Sequence, residues 1–291
     1  MEWLQISVTV ANETAEAVAE VLSRYAHRGV VIEAGPDGWN AGPVIVRAYL
    51  PADDQLRANK RRVQEALGHL NQISPVSEPT FCSVAEADWA EAWKERLTVM
   101  RIGQHIVIRP SWLDHAPGPK DIVVQLDPGM AFGTGLHPTT QMCLMALEEL
   151  THPAVEVLDM GTGSGILAIA AAKLGAGRVL APDNDPLAVK IARDNITTNG
   201  VQDTVIVQCG SLAKAPGSYD IVVVNILAKV IVEMMQEGLS TRVSLGGKVI
   251  ATGIIADQEP TVITAMEQRG LVLVGRQQIE DWVCLVAEQR G

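Results

Sequence analysis

Leu4, Ile6, Val8 and Val10 alternate with polar neighbours, the two-residue period of a strand with one buried face. Asn12 then offers a helix cap, and Val18, Val21, Leu22 and Tyr25 recur at spacings that place them on one side of a helix. Val30 to Ile32 predicts a second strand, Gly35-Pro36-Asp37-Gly38 a turn, and Val44 to Leu50 a third strand pairing with the second. Asp53 opens a second helix with Leu56, Val63, Leu67 and Leu70 turned inward, and Thr80 to Val84 closes the series as a strand. The order β-α-β-β-α-β is the split βαβ, or ferredoxin-like, α+β arrangement. It sets a first domain at residues 1–84.

Ala85 to Leu97 is polar and helix-prone, with Trp89 and Trp93 four residues apart on one helix face, and predicts a helical linker over 85–98. The two rings fit either interdomain packing or a substrate contact. Strand-like pieces at Arg101 to Ile108 and Ile122 to Gln125 follow. From Val155 onward apolar runs alternate with helical patterns, which predicts a doubly wound α/β domain over 99–291 with a mainly parallel sheet covered on both faces.

With 23 Lys and Arg against 34 Asp and Glu, the formal net charge of the 291-residue chain is −11. Such a charge repels phosphate backbones and attracts basic partners. Apolar residues make up 47% of the chain, enough for sizeable cores and too many for disorder. The start, Met1-Glu2-Trp3-Leu4-Gln5, is unlike a secretory leader, and no apolar run is long enough to span a bilayer. Cys82, Cys143, Cys209 and Cys284 lack metal-site or disulfide-framework spacing, which fits reduced thiols in a cytoplasm. Arg57, Lys60, Arg61 and Arg62 form a short basic run, read as a solvated helix face with an RNA contact as the alternative.

The chemistry concentrates in loops after strands. The strand Val155 to Leu158 runs into Asp159-Met160-Gly161-Thr162-Gly163-Ser164-Gly165 and a helix from Ile166, a glycine-rich turn where open α/β sheets take ligands. A dinucleotide fingerprint would need glycine at position 166, where Ile166 stands, which disfavours a nicotinamide cofactor. The next strand ends at Asp183-Asn184-Asp185-Pro186, placing Asp183 to accept hydrogen bonds from ribose hydroxyls and Asp185 to cap a helix. Cys209-Gly210-Ser211-Leu212 falls where an adenine edge would lie. Asn225-Ile226-Leu227 ends another strand, its amide either positioning a ligand or capping a helix. The segment from Leu126 to Thr140 holds three glycines, Phe132, several threonines and His137, and its backbone amides suit a carboxylate. His137 beside Pro138 reads as structural, with catalysis the alternative.

Taken together, Asp127 to Thr140, Asp159 to Gly165, Asp183-Asn184-Asp185-Pro186, Asn225-Ile226-Leu227, Asp88-Trp89 and Trp93-Lys94 resemble the bacterial methyltransferases of the eleventh large-subunit ribosomal protein, over essentially the whole chain. The resemblance implies a Rossmann-like class I methyltransferase domain that uses S-adenosylmethionine to methylate lysine side chains and the N-terminal amine of a basic ribosomal protein, gripped by the small domain. It implies cofactor contacts at Thr140, Gly161, Asp183 and Asn225, with Phe132, Gly133, Thr134 and Gly163 as neighbours, a monomer, and no stable nucleic-acid binding. Ser211, Asn184 and Leu136 depart from the family pattern, where an acidic, an aliphatic and a threonine residue are expected; the first weakens an adenine-amino contact. No residue offers itself as a general base, and Asn225 is expected to orient the amine. Competing readings are methylation of another protein or a small molecule on the same domain, and a binding module without turnover.

Overall fold

A computed structural model describes residues 2–23, 25, 30–33, 43–71, 75–85, 98–126, 135 and 137–290. The chain divides into two compact units, Met1–Leu97 and Thr98–Gly291. The expected turn at 35–38 and the connecting helix with Trp89 and Trp93 lie outside the described residues.

In the first unit the described elements run β1 (Glu2–Val10), α1 (Asn12–Ser23), β2 (Val30–Glu33), β3 (Val44–Pro51), α2 (Leu56–Asn71) and β4 (Thr80–Ala85). The sheet order is β2-β3-β1-β4, and each neighbouring pair is antiparallel. Period-two alternation delivers Ile6, Val8, Val10, Val44, Val46, Ala48 and Leu50 to one face, where they meet Val18 and Leu22 of α1 and Val63 and Leu67 of α2. On α2, Arg61 pairs with Glu65 at 2.8 Å and Lys60 lies over the Phe81 ring at 4.2 Å. Two of the four cations in the basic run are thus engaged within the unit itself.

The second unit begins with β5 (Met100–Ile102), β6 (Ile106–Arg109) and β7 (Ile122–Gln125), a small sheet of its own. The single strand expected over 101–108 is therefore a hairpin. Its turn is held from outside: the Glu148 carboxylate accepts from the amides of Gln104 (2.7 Å) and His105 (2.6 Å), a long-range anchor with no local signature. Next come α3 (Pro138–Leu150), β8 (Glu156–Met160), α4 (Ile166–Lys173), β9 (Arg178–Asp183), α5 (Pro186–Thr198), β10 (Val205–Cys209), β11 (Tyr219–Asn225), α6 (Ala228–Gln236), β12 (Val243–Ile255), α7 (Glu259–Glu267), β13 (Leu271–Ile279) and β14 (Trp282–Gln289).

The large sheet is ordered β10-β9-β8-β11-β12-β14-β13. Pairing is parallel from β10 through β12, and β14 runs antiparallel to both β12 and β13. Both faces are buried, one with Val157, Val223 and Ile250 against α3 and α4, the other with Leu158, Val222, Val224 and Ala251 against α6 and α7. Burial on both faces explains why these strands read as unbroken apolar runs. Helix α4 is buried from Ile166 to Ala171, apolar on every side, which fixes the turn that precedes it. Among the described residues no helix is long and apolar enough to cross a membrane.

Candidate functional site

The chain winds outward from β8 through β9 to β10, then returns to β11 on the other side of β8. That reversal lies at the carboxyl ends of β8 and β11, the place where open α/β sheets take ligands. The glycine loop leaves β8 there and Asn225 ends β11 there, since Met160 pairs with Val224.

Gly161, Gly163 and Gly165 all have positive φ, at +71°, +56° and +83°. The loop is stitched to the next strand: Gly161 N donates to Pro182 O at 3.0 Å, and Gly163 N donates to Asp183 Oδ2 at 2.9 Å. The other carboxylate oxygen, Oδ1, accepts from Asp185 N at 2.9 Å. Asp183 thus ties two turns together, while each of its oxygens keeps a further lone pair. Asp185 caps α5 through Leu187 N (2.8 Å) with Pro186 in the first turn, the cap expected from the sequence. Gly210 N donates to Asp183 O at 2.9 Å, so the Cys209–Ser211 segment lies beside the same turn.

Beneath the loop sits Asp159, 1% exposed. Its Oδ2 accepts from Thr162 Oγ1 (2.6 Å) and Ala168 N (3.2 Å), and Oδ1 has no partner among the described residues. Burial raises its pKa to about 6, against the opposing effect of those two hydrogen bonds. The sequence reading did not single Asp159 out; its signal was a carboxylate inside an apolar strand.

On the α3 side, Asn225 Nδ2 donates to the buried Thr140 Oγ1 at 3.3 Å. Asn225 is not a helix cap: α6 begins after Leu227 with no side-chain cap bond. The turn after it is clamped from two directions. A Cβ on Gly161 would lie 2.9 Å from Ile226 Cγ2, and a Cβ on Gly253 (φ +85°) would lie 2.1 Å from Ile226 O. Gly253 falls where the β12–β14 register shifts, so β12 bulges beside the Asn225 turn. Gly253 and its neighbour Thr252 were also missed, although a glycine inside an apolar run marks a bulge.

His137 takes a structural place. It caps α3, accepting from Thr139 N at 3.3 Å, and its ring meets Trp282 edge-on at 4.8 Å. Burial lowers its pKa, which keeps Nδ1 neutral and able to accept. Of the sequence-predicted residues, Gly161, Gly163 and Asp183 come together directly, Thr140 and Asn225 form a second pair, and Ile226 packing under Gly161 links the two. Phe132, Gly133 and Thr134 lie outside the described residues, as do Asp127 and Leu136. A cavity of about 610 Å³ lined in part by His105, Met145, Glu148, Gln277 and Ile279 contains none of these residues.

A family model described as ribosomal protein L11 methyltransferase matches residues 2–290. Among curated relatives, the ribosomal protein L11 methyltransferase of Chloroflexus aurantiacus is 44% identical, covering 98% of this chain and 97% of that one. That of Herpetosiphon aurantiacus is 40% identical over 97% and 98% respectively. Among solved structures, a ribosomal protein L11 methylase from Lactobacillus delbrueckii subsp. bulgaricus is 34% identical with a TM-score of 0.63, covering 67% of this chain and 100% of the other. With a family match spanning nearly the whole sequence and the glycine loop, Asp183 and Asn225 all at the strand-order reversal, the chain belongs to the ribosomal protein L11 methyltransferase family.

Proposed function

We propose that this chain transfers methyl groups from S-adenosylmethionine to lysine side-chain amines and the N-terminal amine of the eleventh large-subunit ribosomal protein. The observation that carries the reading is the Gly163–Asp183 lock at the strand-order reversal with Asn225 on the opposite lip. The residues present fit the cofactor. A glycine loop without Cβ atoms admits a ligand to the backbone, and Asp183 retains acceptor capacity on both oxygens for ribose hydroxyls. Thr140, Gly161, Asp183 and Asn225 are the proposed contacts, with Phe132, Gly133, Thr134 and Gly163 as neighbours.

The cofactor supplies an electrophilic methyl group on a sulfonium that leaves neutral, so the protein's task is alignment more than acid chemistry. Asn225 orients the amine, and Asp183 with the glycine loop fixes the nucleoside end. A lysine amine with an ordinary pKa of about 10.4 must lose its proton before it can attack, and a dry crevice favours that neutral form. The 127–140 segment is proposed to exclude water over it.

The first unit, with the strand order of a ferredoxin-like fold, is proposed to recognise the substrate protein. Its working bounds are 1–84, with a helical linker at 85–98 and the catalytic domain at 99–291. The −11 charge suits a basic protein partner and opposes stable nucleic-acid binding. A monomer in the cytoplasm fits this role.

Mass spectrometry of the purified ribosomal protein, incubated with the chain and S-adenosylmethionine, tests the reading. Methyl increments on lysines or the N-terminus are expected, and Asp183→Ala should abolish them. Absence of any increment with the wild-type chain, while calorimetry shows the cofactor bound, would overturn the substrate assignment.

A further inference from the structure

Thr252 is 0% exposed, and its Oγ1 has no hydrogen-bond partner among the described residues. Buried hydroxyls left alone are uncommon, because a lost partner costs free energy that the native state must recover elsewhere. Its position explains the exception. In the parallel β11–β12 ladder Thr252 pairs with Asn225, about 4.8 Å away across the strands. Val223 and Ile250, two residues earlier on each strand, belong to the core beneath α3, whereas Val222, Val224, Val249 and Ala251 belong to the opposite core. By that alternation Asn225 and Thr252 share the α3 face, the face from which Thr140 reaches Asn225. The bulge at Thr252–Gly253 separates this point from the regular β14 pairing, a device that re-aims side chains near active sites.

The Asn225 amide uses one N–H on Thr140 Oγ1, at 3.3 Å, and makes no other side-chain hydrogen bond among the described residues. Among the described residues its second N–H and the Thr252 hydroxyl both lack a partner, and they belong to residues paired across neighbouring strands. From this we infer that Thr252 is a positioning residue for methyl transfer: its Oγ1 receives the second Asn225 N–H when the amine docks, so that Thr140 and Thr252 together grip the NH2 end and leave Oδ1 facing the substrate.

Which way the amide faces decides whether the reaction can proceed. A neutral amine has N–H donors and one lone pair, and that lone pair must form the new N–C bond as the S–CH3 bond breaks and its electrons stay on sulfur. Oδ1 accepts an amine N–H and leaves the lone pair free. An inverted amide would place its own N–H on that lone pair and block attack. After transfer the amine carries the extra proton, which passes to solvent as the product leaves.

The role rests on the methyltransferase reading above, and the test separates the two. Thr252→Val, Thr252→Ser and Thr252→Ala in the full chain are compared for kcat on the ribosomal protein, for S-adenosylmethionine Kd by calorimetry and for Tm. Thr252→Val should lower kcat by about tenfold, leave Kd within about threefold, and hold or raise Tm, because it removes an unpaired buried hydroxyl while keeping the shape. Thr252→Ser should retain kcat within about threefold. Should the valine variant not fold, serine against alanine isolates the hydroxyl, and a serine kcat several times that of alanine is expected. A valine kcat within twofold of wild type, equal serine and alanine rates, or a kcat loss that tracks a lowered Tm would each overturn the role. Wild-type protein that binds cofactor but methylates nothing overturns the underlying reading, and this role with it.

Discussion

Gly253→Ala measures how the Asn225 turn is held. The substitution carries two costs. An L-residue at φ +85° is strained by roughly 1–2 kcal/mol. The new Cβ would also lie 2.1 Å from Ile226 O and 2.7 Å from Ile226 C, backbone atoms that no side-chain rotation can clear. The 225–227 turn must then move by about 1 Å, although Ile226 Cγ2 is already packed under Gly161. A total loss of about 3–4 kcal/mol is expected, at the upper end for single substitutions. In a unit of this size that lowers Tm by roughly 6–16 °C. Gly246→Ala is the matched control: its φ is +78° and no atom lies within 4 Å of the added Cβ, so it carries the backbone strain alone. The second readout is catalytic. A misplacement near 1 Å costs on the order of 10²-fold in rate, so Gly253→Ala should lose kcat where Gly246→Ala does not. Urea unfolding and steady-state methylation of both variants provide the comparison. Equal stability losses, or a Gly253→Ala chain with wild-type kcat, would refute the claim that Gly253 seats Asn225.

Asp159 gives a pH test. Its folded pKa of about 6 exceeds the ordinary value of 3.8, so between those values the folded chain holds the proton more tightly than the unfolded chain. Stability therefore falls as pH rises through that window and levels off above it, a cost on the order of 2–3 kcal/mol at neutral pH. Asp159→Asn should raise Tm at pH 8 and gain little at pH 4; the same gain at both would remove burial of the charge as the cause. For His137, Asn is a good N-cap, and His137→Asn should keep kcat close to wild type, with a stability loss of about 0.5–1.5 kcal/mol from the edge-on contact with Trp282. A large loss of kcat at unchanged Tm would reopen a catalytic histidine.

Much of this organisation was legible in the amino-acid sequence. The β-α-β-β-α-β order emerged because Leu4 to Val10 and Val44 to Leu50 each bury alternate residues, and a period of two survives without tertiary information. The glycine loop, Asp183 and the helix cap Asp185 were legible because loop-terminal glycine and carboxylate positions carry local backbone requirements. The hairpin at Gln104 and His105 was not, since Glu148, more than forty residues away, holds the turn. Asn225 was visible as an amide at a strand end, yet its helix-cap reading fell away only when α6 was found to begin without it, and its bond to Thr140 has no local signature. Thr252 and Gly253 escaped because their significance depends on strand register, which parallel pairing across a long crossover does not encode locally.

The double hold on Asp183, by Gly163 N on one side and Asp185 N on the other, bears on how each catalytic cycle ends. A carboxylate already fixed by two backbone amides needs no ligand to order it, so the nucleoside pocket proposed above would be built in advance. Everything that pocket touches is common to S-adenosylmethionine and to the demethylated product, which differ only at sulfur. On that reading the demethylated product should compete with the donor for the same pocket, and added product is expected to inhibit methylation. The rate at a given donor concentration would then depend on how much by-product is left to share the pocket.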